Sequence, residues 1–439
     1  MTANPLAGFL GAGAPGGSQV DAILDAMRQH LGMEIAFASR FEGDRRIFTH
    51  IRTDIPVPSS PGDSEPLDGT FCHHIMAGRL PELIHNAADY PLAQTLPIAR
   101  LLPVGAHLTV PLRLRDGSLY GTFCCLSRTA DYSLTERDVC TVRAFAELAC
   151  AQIEFEMDAA SHRDMLTRRI EDAISRGQPA IFLQPIHRLD TGRSTGAEAL
   201  ARFTDANERP PNLWFDEAFE VGLGVELELA AIGNALAGAA YIPADHYLSV
   251  NLSPETALSD RLGPMLEAAA VPNLVLELTE HSGVKDYAAL GNALGELRRH
   301  GRIAIDDFGA GYSSLRHIIA LEPDILKLDM SLVRGIDRDP ARRALAGAMV
   351  GFAGRMDASI VAEGVERAEE RAVLCDLGVD YGQGYLFSRP MPLVAAQQHM
   401  LGGQRSRAHA GPAGTPAPRR RLSPAFIWQP CRAIRLPCP

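Results

Sequence analysis

Short apolar runs that end in a carboxylate, an amide or a lysine recur through the C-terminal half of the chain. They are Gly196–Glu198, Tyr247–Asn251, Leu274–Glu277, Ile303–Asp307, Ile325–Lys327, Ser359–Glu363 and Asp380–Gln383, preceded by a further run at Ile181–Pro185. Between most of them lie segments of helical periodicity, among them Leu262–Ala270, Tyr287–His300, Pro340–Met356 and Glu366–Leu377. Strands alternating with helices predict an α/β fold, a (β/α)8 barrel of the TIM type whose functional groups sit where strands finish. The polar set at those ends is Glu198, Asn251, Glu277, Asp306, Asp307, Lys327, Glu363 and Gln383. Hard oxygen donors converging on one mouth suit Mg²⁺ or Mn²⁺ and point to metal-assisted chemistry on phosphate esters.

The N-terminal half has a different pattern. Ile23, Leu24, Met27 and Leu31 recur at helical spacing, and two hairpins follow: Glu34–Phe41 with Arg45–Arg52, and Leu108–Leu114 with Leu119–Ser127. The second is joined through Asp116-Gly117, a tight-turn signal. Ser133-Leu134-Thr135-Glu136 reads as a capping box opening a long helix through Met157 and on toward Ser175. On it, Val139, Val142, Ala146, Ala149 and Ile153 form one apolar face, which either packs on its own sheet or makes a seam with a second copy of the chain. These patterns divide the chain into a flexible leader (1–18), an α+β domain with an antiparallel sheet (19–155), a helical linker (156–178), the barrel (179–402) and a disordered basic tail rich in Arg and Pro (403–439).

Composition narrows the function. A net charge of −11 over 439 residues excludes a general binder of DNA or RNA duplexes, though not an anionic ligand held through metal. No apolar run is long enough for a membrane span, and residues 1–18 lack the basic start of a signal peptide, so a cytoplasmic protein is expected. The cysteines show no CxxC pair. Cys124, Cys125, Cys140 and Cys150 lie in apolar patterns and read as small buried hydrophobes of a reducing compartment.

Asp306-Asp307, followed by Phe308-Gly309-Ala310-Gly311-Tyr312-Ser313-Ser314-Leu315, carries the most specific chemistry. Adjacent carboxylates at a strand end repel unless cations neutralise them, which makes the pair a two-metal candidate. This stretch, Glu198-Ala199-Leu200, Ser249-Val250-Asn251-Leu252-Ser253, Glu277-Leu278-Thr279-Glu280, Lys327-Leu328-Asp329, Ala362-Glu363-Gly364-Val365-Glu366 and Gly382-Gln383-Gly384 stand in one order. Together with Phe182-Leu183-Gln184-Pro185-Ile186, that ordered set resembles the EAL-domain phosphodiesterases, which linearise cyclic di-GMP.

The resemblance implies roles. Glu198, Asn251, Glu277 and Asp306 match the ligands of one Mg²⁺ or Mn²⁺ ion, with Asp306 bridging to a second ion that Asp307 and Glu363 also serve. Lys327 matches the lysine at the nucleophilic water, whose proton two cations would loosen, and Glu280 the glutamate that anchors the 307–315 loop. Asp329, Glu366 and Gln383 match water-positioning or supporting groups, and Gln184 and Arg202 match substrate contacts. Leu183 and Phe203 depart from a frequent aromatic and a frequent Trp. His281 has no counterpart role and reads as structural.

Residues 19–155 resemble a GAF sensor domain, with a small-molecule signal of unknown identity. Its Asp68-Gly69-Thr70-Phe71-Cys72-His73-His74 stretch is open to a metal, haem or tetrapyrrole reading and to a plain helix cap. The reading that results is a cyclic di-GMP phosphodiesterase, a homodimer regulated by its N-terminal domain. A catalytically silent receptor on the same barrel is the alternative.

Overall fold

A computed structural model describes residues 18–204, 209–279, 286–308 and 315–405, so most of the expected leader and tail fall outside the described residues. The chain divides into two compact units, Met1–Met165 and Leu166–Pro439. A single helix, Glu136–Ser175, begins in the first and ends in the second. Among the described residues no helix is long and apolar enough to cross a membrane.

The first unit is built on an antiparallel sheet of β1 (Ile35–Glu42), β2 (Arg45–Thr53), β3 (Ser64–Pro66), β4 (Leu83–Ile84), β5 (His107–Arg113) and β6 (Leu119–Leu126), in the order β3-β2-β1-β6-β5-β4. Its opening helix, Gln19–Leu31, is capped by Ser18 and closed by Gly32 in the left-handed region, which glycine enters without a Cβ clash. That helix buries Val20, Ile23, Leu24 and Met27 against one sheet face. The same core takes in Val139, Val142, Ala146, Ala149 and Ile153. The apolar face of the long helix therefore packs on its own domain and offers no seam. Two further expectations are corrected. The cap is Thr135, whose N–H and hydroxyl both meet Asp138, because the helix starts later than a Ser133–Glu136 box requires. Cys140 is exposed, one step off the buried face.

The second unit is a closed eight-stranded barrel: β7 (Ala180–Arg188), β8 (Ser194–Arg202), β9 (Tyr247–Leu252), β10 (Leu274–Leu278), β11 (Gly301–Phe308), β12 (Ile325–Leu328), β13 (Ser359–Ala362) and β14 (Tyr381–Gly382), with β14 pairing back onto β7. It is not uniformly parallel: β7 runs antiparallel to both β8 and β14. The reason is local. Leu189–Arg193 is too short for a crossover helix, and Gly192, with φ of 68°, closes it as a tight turn. A last short strand, β15 (Met391–Pro392), pairs with the opposite end of β7.

Inside the barrel, Ile186, Tyr247, Val275, Ala304, Ile325 and Val361 form a compact apolar floor. Side chains on a strand return to the same face every second residue. Two residues beyond the floor, the inner face therefore presents Ser249, Glu277, Asp306, Lys327 and Glu363. Gln184 precedes Ile186 because β7 is reversed, and it sits opposite Glu198 in the ladder. Leu276, Leu278, Ile303, Ile305, Leu326 and Leu328 face outward into the helical shell.

Gly196 is the floor position of β8, and a Cβ there would lie 2.6 Å from the Tyr247 ring. Gly196→Ala should destabilise the barrel by about 1–3 kcal/mol through overpacking. A lowered denaturation midpoint of the barrel transition is the expected reading, and an unchanged midpoint would refute the packing assigned to this floor.

Candidate active site

Lys327 stands at the centre of the polar layer, 2% exposed. Its Nζ contacts Glu277 directly and lies 2.5 Å from Glu363, 3.4 Å from Glu198 and 3.4 Å from Asp306. Two of these carboxylates, Glu198 and Glu277, have further support. Asn251 Nδ2 and Gln383 Nε2 donate to the two oxygens of Glu198 at 2.9 and 2.6 Å, and Gln383 also reaches Gln184 Oε1 at 2.9 Å. Gln184 in turn donates to the Ser388 carbonyl at 3.1 Å, and the Ser249 hydroxyl donates to Glu277 at 2.7 Å. Strand pairing sets these meetings, since Glu198 is opposite Ser249 and Glu277 is opposite Asn251.

One ammonium cannot neutralise four carboxylates, and the proton affinities follow from that. Burial works to discharge Lys327, but the charges of Asp306, Glu198, Glu277 and Glu363 overcome it and lift its pKa well above the usual value. Burial, then the neighbouring Glu198 charge, drives Glu277 well up. Burial also raises Glu363; Lys327 resists this and Asp306 and Glu198 add to it. For Glu198 burial is outweighed by the Lys327 charge and the hydrogen bonds from Asn251 and Gln383, which hold it low. The lysine expected to lose its proton readily is thus held charged by its carboxylate ring when no cation shares the site.

The donor set fits a divalent cation. Carboxylate oxygens of Glu198, Glu277 and Glu363 lie within 4.8 Å of one another. The buried Oδ1 of Asn251 and Oε1 of Gln383 have no hydrogen-bond partner, which is costly unless an electropositive group takes them. Oxygen donors of this kind suit Mg²⁺ or Mn²⁺.

A cavity of about 680 Å³ shares Asn251 and Asp306 with the cluster and is lined also by Arg202, Phe215, Glu228 and Ser253. Of the sequence candidates, Glu198, Asn251, Glu277, Asp306, Lys327, Glu363, Gln383 and Gln184 meet here, and Arg202 stands on the cavity wall. Asp329 and Glu366 are not drawn in. Asp329 caps the Met330–Val333 helix, and Glu366 is exposed and paired with Arg334. Glu280, His281, the side chain of Asp307 and residues 309–314 lie outside the described residues. Sequence reasoning missed Glu228, which accepts from the backbone N–H and the hydroxyl of Ser253 at 3.0 and 2.7 Å. Burial raises its pKa. Its signal was an acid inside the apolar stretch Gly224–Ala237.

Two family models match the chain: EAL domain over residues 167–390 and GAF domain over 18–153. The chain is 31% identical over 248 residues to the probable cyclic di-GMP phosphodiesterase PdeB of Escherichia coli, covering 53% of this chain and 47% of that protein. It is 31% identical over 250 residues to the cyclic di-GMP phosphodiesterase RocR of Pseudomonas aeruginosa, covering 52% and 60%. The chain thus spans about half the length of these curated relatives. A solved EAL enzyme, Bd1971 in its cAMP- and cyclic-di-GMP-bound form, shares the fold with a TM-score of 0.53 at 21% identity, over 84% of this chain and 93% of that one.

Lys327→Met should cost about 3–5 kcal/mol in the presence of a chelator, because buried carboxylates lose their counter-charge. Adding Mg²⁺ or Mn²⁺ should recover much of that loss. Thermal unfolding with and without metal checks it; an equal deficit in both conditions would show that no cation shares this cluster.

Proposed function

This chain belongs to the EAL domain family, and we propose that it hydrolyses cyclic di-GMP to linear pGpG under control of its GAF-like domain. The observation that carries the reading is the convergence of Glu198, Asn251, Glu277, Asp306 and Glu363 around Lys327, at the edge of a cavity large enough for part of a dinucleotide.

In this reading Glu198, Asn251, Glu277 and Asp306 hold one Mg²⁺ or Mn²⁺, and Asp306 with Asp307 and Glu363 serves a second. Such ions, when bound, neutralise phosphate charge and lower the pKa of water. The chain's own groups do the rest. Gln383, with Gln184 behind it, and Ser249 lock the rotamers of Glu198 and Glu277, so the donors are oriented before substrate arrives. Arg202 offers a guanidinium fork to a phosphate from the cavity wall. Water forms the new bond to phosphorus as the 3′-oxygen leaves in line. Lys327 stands at the attacking water, where it serves either as the base that takes the water's proton or as an ammonium that stabilises the negative charge developing on the phosphoryl oxygens. Glu280 keeps the loop-anchoring role that the resemblance implies, while Asp329 caps the Met330–Val333 helix and Glu366 pairs with Arg334.

Regulation has a physical route in the continuous Glu136–Ser175 helix. Its exposed face carries Ala144, Leu148, Ala151 and Phe155 at four-three-four spacing, with Leu148 55% and Phe155 66% exposed. That is the heptad spacing of a helix pairing with a second copy. This exposed stripe carries the proposed homodimer seam, since the Val139–Ile153 face, which the sequence left open to either role, packs on its own domain.

The test incubates the purified chain with cyclic di-GMP and Mg²⁺ or Mn²⁺ and follows pGpG by anion-exchange chromatography. Chelator-sensitive product is expected, and Glu198→Ala or Lys327→Ala should lower turnover by at least about 100-fold. Tight binding of cyclic di-GMP without product would identify a receptor instead. A Leu148→Glu, Phe155→Glu double variant should run as a monomer in light scattering where the unaltered chain runs as a dimer; equal masses would reject the seam.

A further inference from the structure

The centre of the first unit holds a group of side chains that the hydrolysis does not use. Cys72, in the short Phe71–Met76 helix, faces Cys124 on β6 with their Sγ atoms 3.3 Å apart, and neither is exposed to solvent. Arg46 on β2 reaches the same point. Its Nη1 lies 2.9 Å from Cys72 Sγ, its Nη2 pairs with Glu65, and its buried Nε has no hydrogen-bond partner. The guanidinium stands over the Phe37 and Phe48 rings at 5.0 and 4.6 Å, so it is fixed in place. The Thr109 hydroxyl donates to Cys124 Sγ at 3.2 Å, and Thr122 Oγ1 lies 3.4 Å from the same sulfur.

The two thiols are not equivalent. Burial works against ionisation of Cys72, but the hydrogen bond from Cys124, the Arg46 charge and the Thr122 hydroxyl override it and lower its pKa. Burial and then the neighbouring Cys72 raise Cys124. Cys125, the next residue, faces the helix-packed side of the sheet, and burial pushes it up to about 12. One sulfur is thus set up to attack and its contact partner to resolve. A cavity of about 50 Å³, lined by Phe37, Arg46, Phe48, Phe71, His107 and Leu126, reaches Arg46. It has room for roughly three water-sized molecules; neither sulfur lines it, and Arg46, whose Nη1 touches Cys72 Sγ, is the wall it shares with the cysteine pair.

We propose that Cys72 and Cys124 are a dithiol oxidised by hydroperoxide to an internal disulfide. The Cys72 thiolate attacks one peroxide oxygen; the O–O bond breaks and the departing hydroxide takes a proton to leave as water. The Cys72 sulfenic acid is then attacked by Cys124 sulfur. Its S–O bond breaks, and the Cys124 proton leaves with the hydroxide as a second water. Two thiols and one hydrogen peroxide give one disulfide and two waters, with two electrons passing from sulfur to oxygen. Closing the pair to a covalent S–S bond draws the Phe71–Met76 helix and β6 together by about 1 Å. Oxidation also removes the sulfur charge that Arg46 faces, leaving the guanidinium to Glu65 alone.

The experiment uses the full chain carrying Cys140→Ser, Cys375→Ser, Cys431→Ser and Cys438→Ser, which leaves the four buried thiols. After hydrogen peroxide treatment, the protein is unfolded in acid, remaining thiols are alkylated, and peptides are mapped by mass spectrometry. The expected product is a Cys72–Cys124 linked peptide lacking two hydrogens, with Cys125 and Cys150 alkylated. With Cys124→Ser added, dimedone should trap a sulfenic acid at Cys72. With Arg46→Met instead, disulfide formation should slow roughly tenfold. Full alkylation of both cysteines at a peroxide dose that oxidises free glutathione would overturn the proposal. So would a link or adduct distributed equally over Cys125 and Cys150. The first measurement leaves the cluster itself unmutated, so a misfolded variant cannot mask the answer.

Discussion

The barrel depends on one buried charge balance, the ammonium of Lys327 against the carboxylates of Glu198, Glu277, Asp306 and Glu363. Burying such a group is unfavourable unless every member is paired, and removing one partner costs more than the pair contributes. The amides of Asn251, Gln184 and Gln383 and the hydroxyl of Ser249 exist in this layer to complete that pairing. What they leave over, two buried amide oxygens and an excess of negative charge, is the chemical signature of a place for cations. The same charge excess that burdens the fold is the feature on which the proposed metal chemistry rests.

The apolar floor beneath is what makes the balance possible. Tyr247, Val275, Ala304, Ile325 and Val361 fill the barrel beneath the polar layer with apolar side chains. Gly196 admits the Tyr247 ring, and the reversal of β7 brings Gln184 level with Glu198. The first unit handles its buried polar groups differently. It sets a single guanidinium beside two phenylalanine rings and the Cys72 sulfur.

Much of this was legible along the chain. Strand runs ending in acid, amide or lysine at ordered intervals identified the barrel and the residues Glu198, Asn251, Glu277, Asp306, Lys327 and Glu363, because period-two alternation and strand ends are local properties of sequence. The fold of the first unit was readable for the same reason, from its hairpins and its opening helix. Asp329 and Glu366 received their roles from the family resemblance, and in the structure Asp329 caps a helix while Glu366 pairs with Arg334. Both stand beyond the ends of β12 and β13, where the chain goes as its next helix requires.

Other features depended on which strands lie side by side, and no local pattern carries that. The antiparallel course of β7 follows from a connection too short to cross the barrel. The long helix has two apolar stripes, and only the sheet against which it packs decides that Val139 to Ile153 is inside while Leu148 and Phe155 face out. Glu228 enters the cavity wall from a helix distant in sequence from the strand-end motifs. Cys72 and Cys124 are separated by 52 residues, and their contact is the work of sheet register and of the Phe71–Met76 helix lying over it. By itself the sequence determined the elements and the chemical types available at their ends, since both follow from neighbouring residues. The tertiary structure alone decided which of those groups meet, because register, strand direction and burial are set by contacts between segments far apart along the chain.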